Sequence, residues 1–129
     1  MKKIASLLLI LLSLTVFVNA QNKKIMPEKL LRHVVLLKFK DGSTAEEIKK
    51  VEDAFRKLPS QVKAVKAFEW GTNNSPENLN AGFTHCFFVS FASEKDRDEY
   101  LPNPAHQAFV EILKPHLDKV LVIDYWAGQ

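Results

Sequence analysis

The chain has a single cysteine, Cys86, among 129 residues. An internal disulfide is therefore excluded, and stability must come from an apolar core or from a partner chain. Cys86 lies in the apolar run Cys86-Phe87-Phe88-Val89, where a thiol reads as a buried, inert side chain rather than a nucleophile. An excess of one charge is lacking too: 18 Lys and Arg face 15 Asp and Glu, for a net charge of +3. Two of those lysines, Lys2 and Lys3, sit in a segment expected to be removed. Basic residues do not cluster beyond isolated pairs such as Lys23-Lys24, Lys49-Lys50 and Arg56-Lys57, so the sequence offers no electrostatic case for nucleic acid. Tight histidine spacing such as His-x-x-x-His is absent. A zinc site built from three imidazoles is the weakest reading of the histidines, and no metal ligand and no cofactor is assigned. No internal repeat or low-complexity tract occurs.

The first twenty residues are laid out as a secretory signal peptide. A basic start, Met1-Lys2-Lys3, precedes an almost wholly apolar run from Ile4 to Val18. That run is shorter than the ~20 residues a membrane-spanning helix needs. Val18-Asn19-Ala20 supplies small-residue cleavage chemistry. The expectation is cleavage after Ala20, a secreted or periplasmic product, and no stable membrane anchor afterwards. Residues 21–31 are polar and Lys-rich with Pro27, and read as a flexible arm. Residues 32–129 form one domain.

Within that domain, apolar periodicity predicts four strands, Arg32–Lys40, Val62–Trp70, Phe83–Phe91 and Lys119–Trp126. In the first, His33, Val35, Leu37 and Phe39 share one face. In the third, Phe83, His85, Phe87, Val89 and Phe91 do so. Thr44 and Glu47 form a capping box for a helix with the stripe Ile48, Val51, Phe55 and Leu58, which Pro59 is expected to stop. A short helix is predicted for Glu94–Leu101. A longer one opens with Asn103 as N-cap and Pro104 at its first position. The order is β-α-β-β-α-β: a ferredoxin-like α+β fold with a four-stranded antiparallel sheet and its helices on one face.

One helix layer leaves the other sheet face open. That face carries Val34, Leu36, Cys86 and Phe88, and the last strand is apolar on both sides. Antiparallel sheets usually turn a polar face to water. An apolar one implies a partner, and the expectation is a homodimer packed sheet to sheet.

Several phrases together resemble one family. They are His33-Val34-Val35-Leu36-Leu37-Lys38-Phe39-Lys40, Glu69-Trp70-Gly71, Gly82-Phe83-Thr84-His85, Tyr100-Leu101 with Pro104-Ala105-His106, and Ile123-Asp124-Tyr125. They are similar to the stress-responsive dimeric α/β-barrel (Dabb) domain. The family includes a plant polyketide cyclase that closes a ring by aldol chemistry without a cofactor. The resemblance implies catalytic roles for Tyr100 and His106 and places His33 and His85 in the pocket. Asn103 stands where that cyclase has a histidine.

The residues themselves admit such chemistry. His106 lies in the first turn of its helix, where the helix dipole and burial both disfavour imidazolium and favour a neutral general base. Tyr100 stands across the Pro102-Asn103-Pro104 corner, where a phenol can donate to a carbonyl as charge develops. The competing reading is that Tyr100 anchors the corner and His106 caps the helix. His33 and His85 share the helix-side parity and are expected to be neighbours. They form either the polar wall of an apolar pocket lined by Phe39, Phe83, Phe87 and Phe109, or two core histidines satisfied by hydrogen bonds. The leading expectation is a dimer that binds a small apolar, aromatic or polyketide-like molecule, with cyclase or lyase chemistry left open. The alternatives are a non-catalytic stress-response dimer and a monooxygenase of the dimeric-barrel type.

Overall fold

Apolar side chains at every second position make Leu31–Phe39 a strand, β1, with the odd-numbered residues buried and the even ones half-buried. The computed structural model describes residues 29–128. The predicted leader, its cleavage point after Ala20 and the arm up to residue 28 lie outside the described residues. Strand β1 starts at Leu31, one residue before the predicted Arg32, because Leu31 is 2 % exposed and pairs with both Phe91 and Trp126.

Helix α1 covers Ala45–Gln61 and starts on the predicted capping box, with the Glu47 N–H donating to Thr44 Oγ1 and the Thr44 N–H to Glu47 Oε2. Pro59 does not stop it. A proline in the last turn forfeits only its own missing donor, and the Val62 N–H closes the helix on the Leu58 carbonyl at 2.9 Å. Strand β2 is Ala67–Thr72, not Val62–Trp70. Val62 and Val65 are apolar because they pack on the core from a turn, in which the Val65 N–H donates to the Val62 carbonyl. At its far end β2 runs past Gly71, since Gly71 and Thr72 still pair with Cys86 and His85. Strand β3 is His85–Phe91, and Phe83 belongs to the turn before it. Gly82, at φ +83°, makes that turn; a Cβ there would meet the Lys38 stem at 2.9 Å. Helices α2 (Glu94–Tyr100) and α3 (Pro104–Leu113) follow as expected, and the Asn103 side chain accepts from the Ala105 N–H. A short 3-10 turn, Lys114–His116, leads into β4, Leu117–Trp126.

The sheet order is β2-β3-β1-β4, antiparallel throughout, which is the ferredoxin-like arrangement. On its helix side, Phe55 of α1 stacks on Phe87 at 4.0 Å between ring centroids, and Phe68 and Phe109 close around the pair. The other side is left open. There, Leu121, Ile123 and Tyr125 of β4 are each more than two-fifths exposed, beside half-buried Val34, Leu36, Cys86 and Phe88. Strand β4 is also exposed on its helix side, at Val120 and Val122.

Phe55 touches three other aromatic rings at the centre of the core. Phe55→Ala is expected to lower the unfolding free energy by about 3–5 kcal/mol in urea titrations. A loss under about 1 kcal/mol would show that the stack is not central to stability.

Candidate functional site

The first cluster forms where β1, β4 and the α2–α3 corner meet. Alternation on β1 turns His33 inward, and register places Asp124 of β4 directly beside it. The His33 Nδ1–H donates to Asp124 Oδ1 at 2.7 Å. The second carboxylate oxygen accepts from Arg97 Nη1 at 3.0 Å, and Arg97 is held in turn by Asp98. A carboxylate only accepts, so this pairing leaves Nε2 of a neutral His33 unprotonated. The His33 ring stands edge-on to Tyr100 at 6.1 Å and to Phe91 at 6.2 Å.

Tyr100 ends α2 and is wholly buried. Its hydroxyl has no hydrogen-bond partner. Burial pushes the phenol well above its ordinary pKa, so it remains a proton donor at neutral pH. Its ring lies 4.5 Å from that of His106. The chain turns between them through Pro102, which cannot continue α2, and Asn103, which caps α3. His106 Nδ1–H donates to the Leu101 carbonyl at 2.8 Å, which fixes Nε2 as the lone-pair nitrogen of the neutral ring. Burial lowers the His106 pKa. The Leu101 carbonyl works against that, and neighbouring His33 adds to the lowering.

His85 is not part of this cluster. It pairs with Leu37, whereas His33 pairs with Val89, four residues away on β1. At the rise of an extended strand this puts the two positions about 13 Å apart. The shared parity was real, but parity fixes the face and not the place along it. His85 instead donates from Nε2 to Glu52 of α1 at 3.0 Å, and packs against Phe39 and Trp70. Nor do the four predicted phenylalanines line one hollow. Phe87 and Phe109 fill the core around Phe55, Phe39 packs on His85, and Phe83 borders a cavity at the opening of β3. The largest described cavity, about 540 Å³, is a groove between α1 and α3 that Phe109 borders, and none of the described cavities touches Tyr100 or His106.

Sequence reasoning missed Asp124 and Arg97 as partners of His33, and Glu52 as the partner of His85. Asp124 carried a signal, as a carboxylate in an apolar strand needs a partner. Arg97 and Glu52 looked like ordinary polar helix positions. Among the described residues, no three His, Cys, Asp or Glu side chains converge as metal ligands.

Comparison with known proteins places these clusters in context. The profile of the stress responsive A/B barrel domain matches residues 31–127. The chain is 43% identical over 95 residues to stress-response A/B barrel domain-containing protein HS1 of Arabidopsis thaliana, covering 74% of this chain and 87% of that one. It is 30% identical over 95 residues to olivetolic acid cyclase of Cannabis sativa, covering 74% and 94%. The structure of a hydroxynitrile lyase from Passiflora edulis superposes with a TM-score of 0.73 at 25% identity, covering 80% of this chain and 97% of that one.

Because its folded pKa is depressed, His106 stabilises the fold fully above its ordinary value of 6.5, and that contribution is lost as pH falls through the folded value. Unfolding titrations at stepped pH should show stability declining as pH falls from 6.5 toward the folded value. His106→Asn should flatten this part of the profile. A variant profile parallel to that of the parent would remove His106 as its source.

Proposed function

Since this chain belongs to the stress responsive A/B barrel domain family, we propose that it binds a small apolar, aromatic or polyketide-like carbonyl compound at the Tyr100–His106 cluster and moves a proton there. The observation that carries this reading is the Tyr100 hydroxyl, fully buried and without a partner. An unsatisfied buried hydroxyl costs on the order of 1–3 kcal/mol. A ligand oxygen accepting from it would recover that cost.

The chemistry follows from the proton positions. His106 Nε2 holds a lone pair in a setting that disfavours imidazolium, which suits removal of a proton α to a carbonyl. The Tyr100 hydroxyl then donates to the carbonyl oxygen as negative charge builds on it. His33, oriented by Asp124 and Arg97, supplies a second imidazole beside the phenol. In ring closure the carbanion bonds to a second carbonyl carbon of the same molecule, whose oxygen takes the proton from His106; lyase chemistry runs the other way, with His106 taking a hydroxyl proton as the carbon–carbon bond breaks. Relatives named as an olivetolic acid cyclase and a hydroxynitrile lyase support this choice of reaction class. The exposed Leu101-Pro102 corner, beside half-buried His106, is the way in on this reading.

We also propose that the outward face of β1, β3 and β4 is covered by a second copy, and that the dimer works outside the cytoplasm once its leader is removed. The support for the dimer is the apolar character of that face, Val34, Leu36, Phe88, Leu121 and Ile123. A second functional reading, a non-catalytic dimer, is favoured by the filled core between His33 and His85.

One experiment separates the two. An aryl β-diketone dissolved in D2O is followed by NMR for exchange at its α-carbon. Catalysis predicts faster exchange with the protein, falling by about 10²–10⁴-fold in His106→Asn and clearly reduced in Tyr100→Phe. Exchange no faster than in buffer, or unchanged in both variants, selects the non-catalytic dimer. For the assembly, light scattering should find a dimer, and Ile123→Glu a monomer; a monomeric parent refutes the sheet-to-sheet contact.

A further inference from the structure

A second hydrogen-bonded chain, separate from the cluster above, begins at a surface cavity. We propose that Thr84, His85 and Glu52 form a nucleophilic site for acyl transfer from small esters, with Thr84 as the nucleophile. His85 Nε2 lies 3.0 Å from Glu52 Oε1, and His85 Nδ1 lies 2.8 Å from Thr84 Oγ1. A carboxylate only accepts, so the proton of a neutral His85 sits on Nε2. Nδ1 then carries the lone pair, and the Thr84 hydroxyl must donate to it. This is the order of a nucleophile, a base and an orienting carboxylate.

The surroundings separate this chain from a buried pair that only satisfies itself. His85 is 7 % exposed, and Phe39 and Trp70 hold its ring. Thr84, by contrast, is exposed. It opens on a cavity of about 350 Å³ that Asn74, Asn80 and Phe83 also line, together with Leu36 and Cys86 of the outward sheet face, so in the proposed dimer the cavity borders the second copy. That volume is in the range of small-molecule sites. The backbone explains how a surface hydroxyl reaches an inner imidazole. Thr84 lies just before β3 begins, where its N–H still donates to the Leu37 carbonyl at 3.0 Å, and its hydroxyl reaches the imidazole of the next residue directly. Asn80 uses one Nδ2 proton on the Phe83 carbonyl at 2.9 Å and retains the other. Asn80 and Asn74 line the same cavity and bring carboxamide donors to it, and Phe83 adds apolar surface.

The step balances without a cofactor. Thr84 Oγ bonds to the ester carbonyl carbon as its proton passes to His85 Nδ1. The tetrahedral adduct then breaks its bond to the alcohol oxygen, which takes that proton from His85. Water, deprotonated by the same nitrogen, hydrolyses the acyl-threonine, releasing a carboxylic acid and restoring the hydroxyl. Glu52 holds the tautomer and stabilises the imidazolium throughout, as a positioning residue.

The test uses the full chain and p-nitrophenyl acetate. A stoichiometric burst of p-nitrophenolate is expected, with the acetyl group located on Thr84 by peptide mass spectrometry. Thr84→Ser should retain the burst and Thr84→Val lose it. Glu52→Gln, at a position 22 % exposed, should slow it on the order of 10²–10⁴-fold while thermal melts remain those of a folded protein. Acetyl groups found only on lysines, or a full burst from Thr84→Val, would overturn the assignment.

Discussion

A single layer of helices can shield one side of a sheet, and this sheet is apolar on both. That constraint organises the molecule. The shielded side takes nearly all the aromatic mass, with Phe55 wedged between Phe87 and Phe109. It also takes the two inward histidines, each of which then needs a polar partner in a dry setting. The unshielded side collects Val34, Leu36, Phe88, Leu121 and Ile123, side chains that water does not hold well. Both polar clusters therefore sit at the rims of the covered face, where helix residues such as Arg97 and Glu52 reach around to the strands.

The two clusters use the same device for different ends. In each, a carboxylate fixes the protonated nitrogen of a histidine and so determines what the other nitrogen can do. The His33 ring stands edge-on to that of Tyr100, whose phenol has no hydrogen-bond partner. His85 turns its lone pair toward the hydroxyl of a surface threonine. Tautomers that free imidazole leaves undecided are here set by backbone register, since Asp124 is beside His33 only because β4 pairs with β1 in that alignment.

How far the sequence could be read follows from which interactions are local. The capping box at Thr44, the Asn103 cap and the alternation of β1 and β3 are written within a few residues, and each was legible. The start of β2 was not. Val62 and Val65 are apolar for the sake of a distant core, and local pattern does not distinguish that purpose from a strand. Pro59 misled because the cost of a proline depends on how many turns follow it. The pairing of Tyr100 with His106 was readable because only a short corner divides them. Arg97 and Glu52 were not, since Arg97 reaches Asp124 across 27 residues of sequence and Glu52 reaches His85 across 33. His33 and His85 were placed on the right face and at the wrong separation, because register is decided by the whole sheet.

Strand β1 lies inside the sheet, and its two neighbours come from the middle and the very end of the described chain. Leu31 meets Trp126, and the Ala127 N–H donates to the Leu30 carbonyl at 3.0 Å. The sheet therefore stays incomplete until β4 has been made, and β1 has one edge vacant up to that point. Closure joins residues nearly a full domain apart, the kind of long-range pairing that slows folding.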